Sequence, residues 1–298
     1  MKTQRIPLAL RSLGPDAPDV TSVAFGGMPL STEGRPEEPT SLSVIRAVLD
    51  AGVTLIDTAD VYCTSHKDIG HNERLIAKAI DSWPGPAESV VVATKGGLTR
   101  PGGRWERNGR PKHLRRACDQ SLQALGVDRI DLYQLHAPDP DVPFTESVEA
   151  IAELRREGKI RWVGLSNVSV AEIEQARGIV PIQTVQNRLN PFFREALRDG
   201  VVEHCEKNGI GFLAYSPVGG GRLNKKLPSH AVLTPIAARH GVSAHVVTLA
   251  WVLAQGSTVI VIPGGRTVAH ALDSVAASTL ALHPDDLAAI DRAEFSIA

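Results

Sequence analysis

Lys95 ends the apolar run SVVVATK (Ser89 to Lys95), a place where an ammonium is partly desolvated and needs an anionic partner or a lowered pKa. Asp57 ends VTLID (Val53 to Asp57) and is the natural partner, in what is at minimum a structural ion pair. Tyr62 follows in the stretch ADVY, close enough to reach over the same rim. A buried cation beside a tyrosine favours the phenolate, which makes Tyr62 a candidate proton donor; its bland reading is an ordinary loop aromatic. His136 follows IDLYQL and fits three roles: core histidine, metal ligand or polariser of a bound group. No HxH, no second clustered histidine and no carboxylate at ligand spacing accompanies it, so the metal reading is the weakest of the three.

These residues sit at the ends of short β-rich runs, and so do others. The runs are TSVAF (Thr21 to Phe25), VTLID, SVVVATK, IDLYQLH, IRWVGLS (Ile160 to Ser166), IQTVQN (Ile182 to Asn187), IGFLAYS (Ile210 to Ser216) and TVIVIP (Thr258 to Pro263). Their ends carry Asp57, Lys95, His136, Ser166–Asn167, Gln186–Asn187, Tyr215–Ser216 and Pro263–Gly264. Any one of them is usually a satisfied polar residue at a strand terminus. Together they point to one rim.

Several runs are almost continuously apolar, as strands buried on both faces are. Between them lie amphipathic helices with readable punctuation. TSLSVIRAVLDAG is expected to start at a capping Thr40 or Ser41 and stop at Gly52, and PKHLRRACDQSLQALG to start with Pro111 in its first turn and end at Gly126. TESVEAIAELRREG, LRDGVVEHCEKNG and SAHVVTLAWVLAQG each end on a glycine. Strands that alternate with helices allow a closed (β/α)8 barrel or an open doubly wound sheet. The first strand-to-helix turn carries no GxGxxG, and eight units fit the roughly 250 residues of a barrel. The expectation is an α/β fold of the (β/α)8 TIM-barrel class, one domain over residues 1–298, with its chemistry at the C-terminal strand ends. The segment from Gly96 to Arg110 has no obvious structure and five glycines, so it reads as a functional loop that orders around a ligand.

Composition narrows the partners. The 32 Lys and Arg balance 33 Asp and Glu, a net charge of -1 that supplies no field for nucleic acid or an anionic membrane. A hydrophobic share of 43% is that of a globular chain, and no apolar run approaches a membrane span. Cys63, Cys118 and Cys205 are scattered and form no metal-like cluster, so a reduced, cytoplasmic setting is expected. The opening MKTQRIPLALRSLGPDAPDV lacks the apolar core and cleavage site of a signal peptide.

Across nearly its whole length the chain resembles the aldo-keto reductases. The segments that carry the resemblance, in order, are GVTLIDTADVY, VVVATKGG, IDLYQLHAPDP, GKIRWVGLSN, TVQNRLNP, AYSPVGGG and VIPGGR. The resemblance implies a (β/α)8 barrel that binds NAD(P)H and reduces an aldehyde or ketone, or runs the reverse reaction. It implies a tetrad of Asp57, Tyr62, Lys95 and His136: Tyr62 as proton donor, Lys95, oriented by Asp57, lowering its pKa, and His136 holding the carbonyl. It further implies that Ser166, Asn167 and Gln186 hold the nicotinamide carboxamide, that Tyr215 stacks on its ring, and that Ser216, Pro217, Val218, Gly219, Gly220 and Gly221 wrap the pyrophosphate. Glycines there let backbone N–H groups approach phosphates, although a glycine run alone is also a plain flexible loop.

The adenosine end departs from the family pattern. His270 stands where an arginine is usual, and Asp273–Ser274 where a Glu-Asn pair is usual. Arg266, beside Gly264 and Gly265 in PGGR, is available instead for a 2′-phosphate, so NADPH is preferred with NADH as the lesser option; its bland reading is a solvated loop arginine. Little chain follows LHPDDLAAIDRAE to cover a substrate, so Met28 and Trp105 are expected to line the substrate wall. A surface anchor is the other reading of Trp105. Two competing functions remain: a cofactor-binding regulatory subunit of the same fold, and a metal-dependent barrel hydrolase. The physiological substrate and the oligomeric state are not legible.

Overall fold

The computed structural model describes residues 7–298. Residues 1–6, which open the stretch read for a signal peptide and belong to the 1–298 domain expectation, lie outside the described residues.

Eight parallel strands form one sheet: β1 (Phe25–Gly26), β2 (Leu55–Asp57), β3 (Val91–Gly96), β4 (Ile130–Leu135), β5 (Ile160–Ser166), β6 (Thr184–Arg188), β7 (Gly211–Tyr215) and β8 (Val259–Val261). Each pairs with the next, and the ring closes through a parallel bridge between Val23 and Val261. Ala24 N donates to Val261 O at 2.9 Å and Val261 N to Ser22 O at 3.0 Å, so β8 meets β1 without a free edge. This is the expected (β/α)8 barrel.

Helices α1 (Glu38–Asp50), α2 (His71–Asp81), α3 (Pro111–Leu125), α4 (Phe144–Arg156), α5 (Val170–Arg177), α6 (Val201–Lys207), α7 (Leu233–His240), α8 (Ala244–Leu253), α9 (Val268–Val275) and α10 (Pro284–Arg292) surround the sheet. α3 starts with Pro111 and ends where Gly126 turns left-handed, as its punctuation predicts. α1 differs: it begins at Glu38 with Glu37 as its cap, because Pro39 belongs in a first turn, which leaves Thr40 and Ser41 inside. The stretch LRDGVVEHCEKNG is broken by Gly200 at φ +74° into a single turn (Glu195–Arg198) and α6. Among the described residues no single helix is long and apolar enough to cross a membrane.

Strand alternation sorts the lumen into two layers. Near the N-terminal ends, Leu55, Val91, Ala93, Leu132, Trp162, Leu213 and Ile260 pack with Leu13 and Val20. The run TSVAF therefore does not form a single strand. Asp19–Thr21 pairs with Leu10–Ser12 in an antiparallel hairpin that stops the barrel bottom, and only Phe25–Gly26 continues as β1. Trp162 Nε1 donates to Asp16 O at 3.1 Å, which holds the plug in place. Two residues further up β2, β3 and β4 the inward positions turn polar, at Asp57, Lys95 and Gln134, and β6 adds Thr184 and Gln186. Gly164 makes room among them, since a Cβ there would lie 2.3 Å from Thr184 Oγ1 and 2.8 Å from Gln134 Cγ.

The segment 96–110 is not structureless. Leu98–Thr99 pairs with Glu106–Arg107 in a small hairpin, and Gly109 N is held by Asp139 Oδ2 at 2.8 Å. Its glycines supply turn conformations, with Gly102 at φ +56° and Gly103 at φ +81°.

Candidate functional site

Barrel closure brings Asp57, Tyr62, Lys95 and His136 to one rim. Lys95, fully buried, uses its ammonium on three oxygens: Asp57 Oδ1 at 2.6 Å, Thr58 O at 2.8 Å and the Tyr62 hydroxyl at 3.0 Å. Three donors meet three acceptors, so the cation has no unused proton. Tyr62 reaches the rim through a turn in which its N–H donates to Ala59 O at 3.1 Å. Its ring lies edge-on to the His136 ring, with centroids 5.7 Å apart, and edge-on to Trp105 at 6.3 Å.

Asp57 is held from across the lumen as well. Gln186 Nε2, on the opposite wall, donates to Asp57 Oδ2 at 2.7 Å, and Gln134 Nε2 approaches the same oxygen at 3.4 Å. Gln186 thus belongs to the cradle of Asp57 as well. Gln134 is a site residue that sequence reading missed. Its signal was present: a glutamine at an inward position of the apolar run IDLYQLH.

Lys95 lowers the Tyr62 pKa as expected, but it is not the largest influence on the phenol. Burial pushes the phenol up to about 12; the Lys95 charge opposes this without cancelling it. The tyrosine is held as a neutral phenol. Burial alone would depress Lys95, but Asp57 and Tyr62 hold it above the usual lysine range. Burial, then the Lys95 charge, drives His136 well below the usual histidine range, and its Nδ1 is buried with no hydrogen-bond partner. His136 is a neutral imidazole and can donate one hydrogen bond. Among the described residues no group of three or more His, Cys, Asp and Glu is placed to hold a metal.

The other expected residues ring this centre. Asn167, at φ +60°, donates from Nδ2 to His136 O at 3.0 Å and to Ser166 Oγ at 3.1 Å, and accepts from the Tyr215 hydroxyl at 2.8 Å. Ser166, Asn167 and Tyr215 therefore form one connected wall next to His136. Beyond it Ser216 (φ +49°), Gly219 (φ +88°) and Gly220 (φ +73°) are left-handed, and Asn190 Nδ2 binds Ser216 O at 2.8 Å. Pro217 and Val218 complete that turn. A Cβ on Gly221 would meet nothing within 4 Å, so this backbone opens onto free space where a phosphate could approach. The chain end packs nearby: Arg222 Nη2 donates to Ile297 O at 2.6 Å, and Phe295 lies edge-on to Phe192.

At the far side Arg266 donates to Pro29 O at 3.2 Å and to Glu33 O at 2.6 Å, so its guanidinium braces the segment that follows β1. Gly264 and Gly265 sit tightly beneath it; a Cβ on Gly264 would lie 2.6 Å from Pro29 Cγ. In α9, Thr267 caps His270 N, Asp273 accepts from Ser243 Oγ at 2.6 Å, and Ser274 donates to His270 O at 3.1 Å. His270 is exposed, whereas the Asp273 carboxylate is already engaged by Ser243. Met28 and Trp105 are both partly exposed, at 41% and 46%. The buried Arg100 guanidinium stacks on Trp105 at 3.9 Å and donates to Glu33 Oε1 and Cys63 O, tying the 96–110 hairpin to the rim. Cys63, Cys118 and Cys205 are buried and unpaired.

Comparison with known proteins says which family of enzymes has this parallel barrel and rim. Residues 22–294 match the model of the Aldo/keto reductase family, and the chain belongs to that family. It is 33% identical over 278 residues to an uncharacterised oxidoreductase of Schizosaccharomyces pombe, covering 92% of this chain and 86% of the other. It is 31% identical to an aldo-keto reductase of Strobilurus tenacellus, covering 96% and 92%. Among solved structures it is similar to a thermostable aldo-keto reductase in complex with the inhibitor epalrestat, at TM-score 0.81, 29% identity and coverage of 95% and 99%. It is also similar to the glycerol dehydrogenase of Gluconobacter oxydans, at TM-score 0.80, 29% identity and coverage of 95% and 93%. The protein is an oxidoreductase acting on carbonyl or alcohol groups of small molecules.

Proposed function

We propose that this chain, as a single domain over residues 1–298, is an NADPH-dependent reductase of aldehydes or ketones in which Tyr62 delivers the proton. The observation that carries the reading is the buried ammonium of Lys95, shared between Asp57 and the Tyr62 hydroxyl. When bound, NADPH supplies a hydride to the carbonyl carbon. Tyr62 donates its hydroxyl proton to the carbonyl oxygen. Lys95, at 3.0 Å, stabilises the phenolate left behind, and Asp57 holds Lys95 in register. Neutral His136 donates a hydrogen bond to the same carbonyl oxygen and fixes the substrate's orientation. The open backbone at Ser216 to Gly221 fits a pyrophosphate, the Ser166–Asn167–Tyr215 wall fits a nicotinamide, and Arg266 fits a 2′-phosphate, with His270 exposed near it. NADH is accommodated at lower affinity. Met28 and Trp105 border the substrate. The three buried, unpaired cysteines support a reducing, cytoplasmic setting.

The test is Tyr62→Phe. The variant should bind NADPH, read as quenching of tryptophan fluorescence, and reduce a reactive aldehyde about 10²–10⁴-fold more slowly. Unchanged turnover would remove Tyr62 from the proton transfer. Quenching in the wild type with no NADPH oxidation on any aldehyde would favour the regulatory-subunit reading.

A further inference from the structure

The first turn of α2 carries polar side chains that the helix does not need for docking. Leu75, Ile76 and Ala79 already bury its apolar face. Yet Asn72 and Glu73, adjacent in sequence, are both fully buried. Asn72 Oδ1 accepts from Thr58 Oγ1 at 2.6 Å, and Glu73 Oε1 accepts from Thr94 Oγ1 at 2.6 Å. Thr58 follows Asp57 and Thr94 precedes Lys95. Two successive residues of one helix thus grip the chain neighbours of Asp57 and of Lys95, the ion pair whose cation bonds the Tyr62 hydroxyl.

Asn72 also donates from Nδ2 to Gly27 O at 2.9 Å and to Ser31 Oγ at 2.7 Å, which ties in the exit of β1. The arrangement carries a desolvation cost. Glu73 Oε2 and the nearby Asp60 Oδ1 are buried without partners, and burial raises both carboxyls above the usual range. An apolar contact could dock the helix without that cost, so the polar grip calls for a function beyond docking.

The Lys95 ammonium provides one. Two of its three acceptors, Thr58 O and the Tyr62 hydroxyl, come from the loop that leaves β2 rather than from a strand. Thr58 N donates to Ala93 O at 2.7 Å, which holds its backbone on one side, and Asn72 fixes the rest of the residue by its hydroxyl from outside the barrel. We propose that Asn72 and Glu73 are positioning residues which set the reach of Lys95 toward Tyr62, Asn72 by fixing Thr58 and Glu73 by fixing Thr94. The consequence for turnover rests on the reductase reading above; the consequence for Lys95 does not.

Two readouts keep these apart. The first is the side-chain ammonium signal of Lys95 in ¹⁵N-lysine spectra, assigned by its loss in Lys95→Met. The second is turnover against NADPH affinity. Asn72→Ala and Glu73→Leu should move the Lys95 signal and lower kcat on the order of tenfold to a hundredfold, with the NADPH Kd unchanged. Glu73→Gln keeps the acceptor for Thr94 and should recover both. Thr58→Val and Thr94→Val cut the same contacts from the barrel side and should reproduce the defects if the α2 variants fail to fold. A Lys95 signal that stays in place in the folded variants overturns the proposal, as do equal losses of NADPH affinity and kcat. A displaced Lys95 signal in a protein that reduces no carbonyl supports the clamp and fails the reductase reading.

Discussion

Lys95 Nζ lies 3.0 Å from the Tyr62 hydroxyl, yet the phenol stands above its ordinary titration range, pushed up to about 12. Proximity to a cation and burial act in opposite directions on an acidic hydroxyl, and here burial is the larger. Lys95 therefore does not pre-ionise Tyr62. On the proposed reading its effect falls after proton transfer, when the phenolate exists and the ammonium faces it.

Lys95→Met should be more harmful than Tyr62→Phe. It leaves Asp57 buried without its cation, a loss of about 3–5 kcal/mol where one partner of a buried pair is removed. Chemical denaturation should report that drop together with loss of turnover. A stable, active Lys95→Met protein would mean the pair has no part in the site.

His136 makes stability depend on acid. Its folded pKa is depressed well below the unfolded value near 6.5, so below that value the unfolded chain binds the extra proton. Its contribution is fully present above pH about 6.5 and is lost as pH falls toward the folded pKa. Unfolding free energies measured from pH 7 downward should decline more steeply in the wild type than in His136→Gln. Parallel curves would show that His136 is not held neutral by the fold.

Arg266→Ala should raise the NADPH dissociation constant roughly tenfold to a hundredfold, as expected for loss of a charge-assisted phosphate contact of about 1.5–3 kcal/mol. NADH, without the 2′-phosphate, should bind nearly as before. Equal losses for both cofactors would assign Arg266 to its bonds with Pro29 and Glu33 alone.

Trp105 stands edge-on to Tyr62 and is braced by Arg100. Trp105→Ala should raise the Michaelis constants of bulky aldehydes, by the ~1–2 kcal/mol of an aromatic wall, and leave small reactive aldehydes almost unaffected. Kinetics on one substrate of each kind decides this; a uniform change, or none, would take Trp105 out of the substrate site.

Much of the rim was legible because its signals are local. Asp57, Lys95 and His136 stand out as polar residues closing apolar runs, and Pro111 and Gly126 bracket α3 by backbone preference alone. The hairpin at 96–110 was not legible, since its strands are too short for a period and its anchors, Glu33, Cys63 and Asp139, lie far away in the chain. TSVAF reads as one strand because an apolar run does not reveal that part of it pairs with a plug instead of the barrel.

By itself the sequence determined which chemical groups the protein has and which strand end each occupies, because a strand's period and a helix's caps act over a few residues. Only the tertiary structure decided what those groups are. Gln186 reaches Asp57 from the opposite wall, 129 positions along the chain, and α2 grips Thr58 and Thr94 from outside the barrel. The neutral state of Tyr62 and of His136 arises from the same closure, since desolvation depends on every wall around a group and on no single segment of chain.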